Sequence, residues 1–450
     1  MTGTRASLLT WLGVGLSAAV IALGVAYAPA ATGILIPLTV VAAGLAWRYG
    51  AARGLWYAFL ISIPLRQPLG YDLFGTTTVF LSDLILYALF LSVLSRSEVV
   101  SLWRQSRQGR VGLGILLLSI PGLYTAASLV QQVATIQRLV GQLMVLYLVR
   151  HFVRDPREAV RTLGAFLIGM LPAIAFGFYQ TTISVGASNF GDWADVPLAH
   201  DETGRSYVRV FSTFDHSLRF SHALTVSFAV SLGLAMRATG ARRIVLLAIT
   251  IASAACNAAT YSISGVLGMA AALGAAVLIR FGRKALLALP ILAIAAWVLL
   301  PDAMIYKASQ MVTGESTSTL SRLVTYHRTV LVLADHPLTG LGWGSIGADV
   351  FRDYRIARSE SIGVGAENWW LHHGLALGIP GLILAGMILV FFFRDATRHA
   401  REWPRTAILV GGLGYFVQAM LYPSAGFVAG YVLWILIGLS ERMAVASRAT

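Results

Sequence analysis

Long apolar runs recur from one end of this 450-residue chain to the other, many of them near the roughly 20 residues that carry a helix across a bilayer. That feature removes most folds from consideration. In lipid every backbone N–H and C=O must be paired within the protein, so helices are the expected spanning element. Fourteen runs read as spans: 8–28, 31–47, 52–66, 78–95, 111–130, 134–153, 160–182, 219–236, 243–260, 262–280, 284–301, 367–393, 405–421 and 425–441. The third is short and the twelfth is split. The first is longer than a typical signal-peptide core and further spans follow at once, so it reads as a retained helix. Charged residues make up 12% of the chain, about half the share of a soluble domain. The expectation is an all-α polytopic membrane protein with about 12–14 transmembrane helices, residues 1–450 forming a single integral membrane domain.

The lone cysteine, Cys256, excludes an internal disulfide framework and any multi-cysteine metal site. A net charge of +14 is compatible with nucleic-acid binding, but its distribution points elsewhere. Most of the arginines fall in alternate loops, among them Arg48 and Arg53, Arg104 to Arg110, Arg150 to Arg161, Arg237 to Arg243, Arg394 to Arg405, and Arg442. Short basic loops stay cytoplasmic, so both termini are read as cytoplasmic and the charge as a topology signal. Two long loops, 183–218 and 302–366, then fall on the extracytoplasmic side, where they are expected to carry amphipathic helices. They concentrate Asp, Arg, Tyr, His and Trp, and any chemistry is expected there.

The first loop runs through RVFSTFDHSLRFSHAL into the eighth span, bringing Arg209, Ser212, Thr213, Asp215, His216, Arg219 and His222 together. A solvated, self-paired loop is the simplest reading. The alternative is an anion site, because guanidinium is always charged and its rigid fork suits phosphate oxygens. In the second loop, Leu320, Leu323, Val324, His327, Val330, Leu331 and Ala334 make an i, i+3, i+4 stripe, which predicts an amphipathic helix at the interface. Arg322, Tyr326 and Thr329 share a different face. GLGWG, after Pro337, lacks the strand, helix and spacing of a nucleotide fingerprint. GAENWWLHHGLALGIPG then places Glu367, Asn368, His372 and His373 at the mouth of an apolar helix, where polar groups are costly. Helix capping explains Glu367 and Asn368, and interfacial anchoring explains Trp369 and Trp370. Snorkelling explains Arg66 and Arg138. All of them nevertheless converge on one face.

Three segments, in order, resemble the O-antigen ligase and O-antigen polymerase superfamily of bacterial envelope glycosyltransferases. RVFSTFDHSLRFSHAL (209–224) is similar to an Arg-x-x-Ser-x-Phe segment leading into a helix. SRLVTYHRTVLVLADHPLTGLGWGSIG (321–347) resembles a Ser-Arg, then Pro-x-x-Gly-x-Gly pattern. AENWWLHHGLALGIPGL (366–382) is similar to His-Asn-x-x-Leu, then Gly-Ile-x-Gly. The resemblance covers 207–382; the N-terminal half agrees in topology. Two departures stand out. Glu367-Asn368 replaces the His-Asn usual in ligases and looks closer to the polymerase branch. TYSISG carries Ile263 where the family's Thr-x-Ser-Arg-Ser-Gly turn has arginine.

The resemblance implies a GT-C-like, metal-independent transferase with no cofactor. Its donor would be a glycan on undecaprenyl diphosphate, and its acceptor a growing glycan in a polymerase or lipid A–core in a ligase. It would work at the extracytoplasmic face of the bacterial cytoplasmic (inner) membrane, among membrane lipids and beside envelope polysaccharide assembly proteins. Elementary chemistry fits: the departing diphosphate needs its charge held, and the acceptor hydroxyl needs a base. Glu367 is the expected base, with His373 or His372 as fallback. Arg209, then Arg322 and Arg138, with Arg66 and Arg219 behind, are expected on the diphosphate. Asn368, Trp369, Trp370, Asp215 and Tyr326 are expected on the glycan. A secondary transporter is the rival reading. It would be expected to show broken helices near the midplane and a repeat relating two halves, and no clear repeat is visible.

Overall fold

The computed structural model describes residues 40–65, 70–73, 77–182, 198–200, 206–214, 216–282, 284, 301–313, 317–345, 368–398, 402–421 and 427–446. The span read at 8–28, all but the end residues of 284–301, and most of 31–47 lie outside them, as do Arg66, Asp215 and Glu367.

The described chain is built almost entirely from helices: α1 Ala51–Ser62, α2 Leu81–Val93, α3 Arg96–Gln105, α4 Arg107–Leu118, α5 Gly122–Thr125, α6 Leu129–Phe152, α7 Pro156–Thr181, α8 Ser217–Ala235, α9 Gly240–Ala258, α10 Ile263–Phe281, α11 Asp302–Thr313, α12 Thr317–Asp335, α13 Trp369–Thr397, α14 Arg405–Ala419 and α15 Phe427–Ala446. Two small antiparallel pairs, β1 Gly70–Leu73 with β2 Thr77–Phe80 and β3 Leu198–His200 with β4 Ser206–Val208, are the exceptions. Helices α6 to α10 and α13 are long and apolar enough to cross a membrane. The protein is an all-α polytopic membrane protein, as its hydropathy predicts.

The core runs through the middle of this bundle. Helix α8 packs against α9, α10 and α14, while α15 packs against α6, α13 and α14. Tyr431 to Ile437 on α15 are all buried, which fits a helix that is apolar all round. Asp83 at the start of α2 is fully buried and already occupied. Its Oδ2 accepts from Phe80 N at 3.0 Å and its Oδ1 from the Tyr431 hydroxyl at 2.8 Å.

The predicted span 111–130 is two pieces. Helix α4 stops at Leu118, Pro121 starts the single turn α5, and Ser128 caps α6 by accepting from Gln131 N. Proline has no N–H to continue the ladder, and the serine starts a new one. The first long loop, where described, is the β3–β4 pair and not an amphipathic helix. The second carries α11 and α12, the latter where an amphipathic helix is expected. Thr325, Arg328, Thr329 and Val332 are its buried face, while Val330 and Leu331 point outward.

The two ends of the bundle differ. One holds the starts of α6, α8, α10 and α13. The other holds the ends of α6, α13 and α15 and collects the arginines: Arg442 Nε donates to Val153 O at 3.0 Å, Arg405 binds Met443 O, and Arg150 pairs with Glu441 at 3.6 Å. At this basic end α3 turns 104° from α2 and is tied to α6 through Glu98. The Glu98 carboxylate accepts from Tyr147 at 2.8 Å and His151 at 2.7 Å. Burial raises the Glu98 pKa, but these two bonds outweigh it and hold the carboxyl below its usual value. A depressed carboxylate stabilises the fold above its unfolded pKa, and that contribution disappears as pH falls through the folded value. On acidification from about pH 6 to about pH 4 the wild type is therefore expected to lose more thermal stability than Glu98→Gln. Parallel losses would show that the tether does not depend on charge.

Candidate functional site

Helix α13 explains why polar groups sit at the mouth of an apolar segment. Asn368 caps it: Oδ1 accepts from Trp370 N at 2.9 Å and Leu371 N at 3.0 Å, while Nδ2 donates to Met420 O at 2.9 Å. One amide both starts α13 and ties it to the end of α14. Ten residues on, the helix breaks at Gly378 (φ 70°, ψ −161°), followed by Pro380. Pro380 cannot donate to the Ala376 carbonyl, and Gly342 N does so instead at 2.9 Å. Likewise Leu341 N donates to Leu375 O at 2.9 Å, and Ile379 N to Pro337 O at 2.7 Å. The PLTGLG loop thus completes the ladder that the GIPG kink interrupts. Two motifs distant in sequence form one hydrogen-bonded unit.

The same loop continues into a 3-10 turn, Trp343–Ser345, set against the start of α6. Gln132 grips it, accepting from Gly344 N at 2.9 Å and donating to Ser119 O at 2.7 Å. Ser128 N donates to Gly344 O, and Trp343 Nε1 to Ser119 Oγ at 2.8 Å. A side chain at Gly344 would stand 2.0 Å from the Ser128 carbonyl, so only glycine permits this approach.

These supports frame a narrow cavity of about 40 Å³ walled by α4, α6, α13, α14, α15 and the Trp343 turn. Arg138, Gln142, Trp343, Trp369, His373 and Tyr415 face it. His373 is buried, and its Nδ1 lies 2.8 Å from Trp369 O. A carbonyl only accepts, so Nδ1 carries the proton and Nε2 is left with its lone pair. Trp369 and Trp343 pack on the imidazole with ring centres at 4.6 and 5.2 Å. Gln142, one turn from Arg138, is held by Trp434 Nε1 at 2.9 Å. The cavity therefore combines a permanent cation, a fixed hydrogen-bond acceptor and aromatic faces.

The remaining predicted residues are dispersed. Arg209 follows β4 and is half-buried; its Nε donates to Thr260 O at 3.0 Å, beside the TYSISG turn. Val210 N pairs with Ala259 O, and the Tyr207 and Tyr261 rings lie 5.8 Å apart. Arg209 does not line the central cavity. Arg219 is half-buried in the first turn of α8, and Arg322 and Tyr326 are half-buried on α12. The His372 ring lies 5.4 Å from that of Trp343, tilted 45° to it, but does not line the cavity. Trp370 is 40% exposed with Nε1 bound to Leu382 O, as an interfacial anchor would be.

Within RVFSTF, the serine and threonine act as staples. Gln180 Oε1 accepts from Phe211 N at 3.1 Å and Ser212 N at 2.7 Å, Ser212 Oγ donates to Ala173 O, and Thr213 Oγ1 to Pro64 O at 2.7 Å. Ser212 is held at φ 55°. Gln180→Ala would leave two buried donors without an acceptor, a cost of about 1–3 kcal/mol for each such group. The expected result is a lowered thermal midpoint, with Gln180→Glu retaining most of the stability. Equal loss in both would show that packing, not the acceptor, holds this turn.

Sequence reasoning missed Tyr415 and Gln142 as cavity residues. Tyr415 sits in the run GGLGYFV, where the adjacent residues are glycine or apolar and nothing marks it as functional. Gln142 was legible only through its i, i+4 spacing from Arg138. Residues 247–386 match the model of a family described as O-antigen ligase. The match spans α9 to the kinked part of α13 and takes in the Trp343 turn and His373, bearing out the resemblance to the O-antigen ligase and polymerase superfamily. None of the curated proteins matches the chain.

Proposed function

We propose that this protein is an O-antigen ligase-type glycan-transfer enzyme of the membrane, moving a glycan from undecaprenyl diphosphate to a sugar hydroxyl at the extracytoplasmic end of the bundle. The observation that carries the reading is the shared cavity of Arg138 and His373. In the proposed step the acceptor oxygen attacks the anomeric carbon, its proton passes to the base, and the carbon–oxygen bond to the diphosphate breaks. His373 Nε2 is an acceptor already oriented for that proton. Glu367, one residue before the Asn368 cap, is the second candidate. Arg138 faces the developing charge without a metal. Arg209, Arg219, Arg322 and Arg66 belong to the carrier's approach in this reading, and Asn368, Asp215 and Tyr326 to the glycan's. Trp343 and Trp369 offer faces for sugar rings. The basic end is cytoplasmic by the positive-inside rule, which puts the cavity end outward in an inner membrane.

Glu367-Asn368 favours polymerisation of repeat units. The family match favours ligation to lipid A–core. Reconstitution in liposomes with an undecaprenyl-diphosphate oligosaccharide separates the two. A ladder from donor alone marks a polymerase, and a single product on adding lipid A–core marks a ligase. Folded protein that yields neither product but moves the donor across the bilayer would replace the enzyme reading with a transporter.

A further inference from the structure

A second cavity lies at the opposite end of α6, twelve residues and about 18 Å along the helix from Arg138. It is an open pocket of about 230 Å³ between α3, the end of α6 and the end of α15. Arg150, Arg154 and Arg442 line it, with His151, Tyr147 and Glu98 on the α3 side. The acids nearby are already committed. Glu441 accepts from Ser106 Oγ at 2.6 Å and Arg107 N at 3.0 Å and pairs with Arg150, while Glu98 is bound by Tyr147 and His151. Arg442 spends only its Nε, on Val153 O; among the described residues its two Nη groups have no hydrogen bond or ion pair, and neither has Arg154. Burial first, then the like charges of Arg150 and Arg154, draws the Arg442 pKa below its usual value.

A topology signal needs basic residues only on the correct side of the membrane. It does not need three guanidiniums gathered on one cavity against their mutual repulsion. The negative ends of α6 and α15 account for part of the attraction, yet Arg442 meets that demand with a single N–H. The remaining forks suit the oxygens of a phosphate group. The roof of the cavity is α3, turned 104° from α2, with Val100 exposed on it and Leu94 exposed in the break before it, and with Arg96 and Arg104 on α3 beside them. That is the composition of a helix lying in the interface, where phosphate headgroups sit.

We propose that the cavity walled by α3, Arg150, Arg154 and Arg442 is a phosphate-binding site at the basic end of the protein, separate from the transfer cavity. Its ligand is a phosphate group, carried either by an anionic phospholipid or by a soluble phosphate. The proposal does not depend on the reaction at the other end.

The test is native mass spectrometry of the full-length protein in detergent, titrated with phosphatidylglycerol, phosphatidylcholine or inorganic phosphate. Wild type is expected to hold one phosphatidylglycerol at concentrations where phosphatidylcholine does not bind. Arg154→Gln/Arg442→Gln is expected to weaken that binding at least about tenfold, the effect of losing one charge-assisted hydrogen bond. Arg110→Gln/Arg243→Gln removes the same net charge from exposed positions outside the cavity and its roof and is expected to bind as wild type. Because Arg154 is exposed, Arg154→Glu alone tests the site without disturbing the Arg442 bond to Val153. Arginine-dependent binding of inorganic phosphate without lipid would assign a soluble ligand; binding of phosphatidylglycerol alone would assign a headgroup. Unchanged binding in Arg154→Glu and the double variant, or equal loss in the control pair, would overturn the proposal.

Discussion

His373→Asn is expected to lower glycan transfer by about 10²- to 10⁴-fold, the range of a positioned general base, while leaving the thermal midpoint close to wild type. The asparagine amide can replace Nδ1–H as the donor to Trp369 O, so the local bond survives and only Nε2 is lost. A merely structural histidine, packed between Trp343 and Trp369, would show the reverse: destabilisation with activity per folded molecule preserved. Arg138→Ala in the same assay is expected to cost about 10²- to 10³-fold, the scale of removing one preorganised charge-stabilising group. Arg138→Lys should recover only part, since a point charge cannot reproduce the fork. Glu367→Gln decides between the two bases. If Glu367→Gln abolishes transfer and His373→Asn does not, the proton goes to Glu367 and His373 is packing for the cavity. If both abolish it, the two act in one relay.

How much of this was legible in sequence depended on the range of the interaction. Hydropathy is a property of each segment alone, so the helical membrane class followed directly from the apolar runs. Positive loops likewise foretold that Arg150, Arg405 and Arg442 would share an end. The amphipathic helix α12 was legible from its stripe, but that Thr325, Arg328 and Thr329 would form its buried face was not. Nor was the grouping of the arginines. Arg138, Arg209 and Arg322 are chemically alike, and only the packing of α15 against both α6 and α13, with α4 against α13, brings Arg138 and His373 to one cavity. Ser212 and Thr213 looked like ligand groups and proved to be staples, since a hydroxyl in a loop serves a carbonyl as readily as a phosphate. Tyr415 gave no warning at all.

The kink in α13 carries the second large expectation. Gly378 lies at φ 70°, ψ −161°, a region open essentially to glycine and worth about 1–3 kcal/mol of strain in any other residue. A Cβ there would also stand 2.5 Å from Pro337 O, the acceptor for Ile379 N. Alanine cannot relieve the contact without moving the PLTGLG loop. That loop supplies Leu341 N and Gly342 N to the open carbonyls of the kink and leads directly into the Trp343 turn. Gly378→Ala is therefore expected to cost about 2 kcal/mol or more of stability and to remove transfer activity with it, because the Trp343 wall and His373 both lose their reference. Gly386→Ala, in the same helix, is the control: its Cβ would find its nearest atom, Trp370 Nε1, at 3.8 Å. It should be neutral or stabilising by up to about 1 kcal/mol, as for glycine replaced within a helix. Thermal unfolding in detergent, read alongside the transfer assay, measures both. Should Gly378→Ala retain wild-type stability and activity, the kink would be an incidental bend, and the pairing of the two glycine-rich motifs would not be what shapes the cavity.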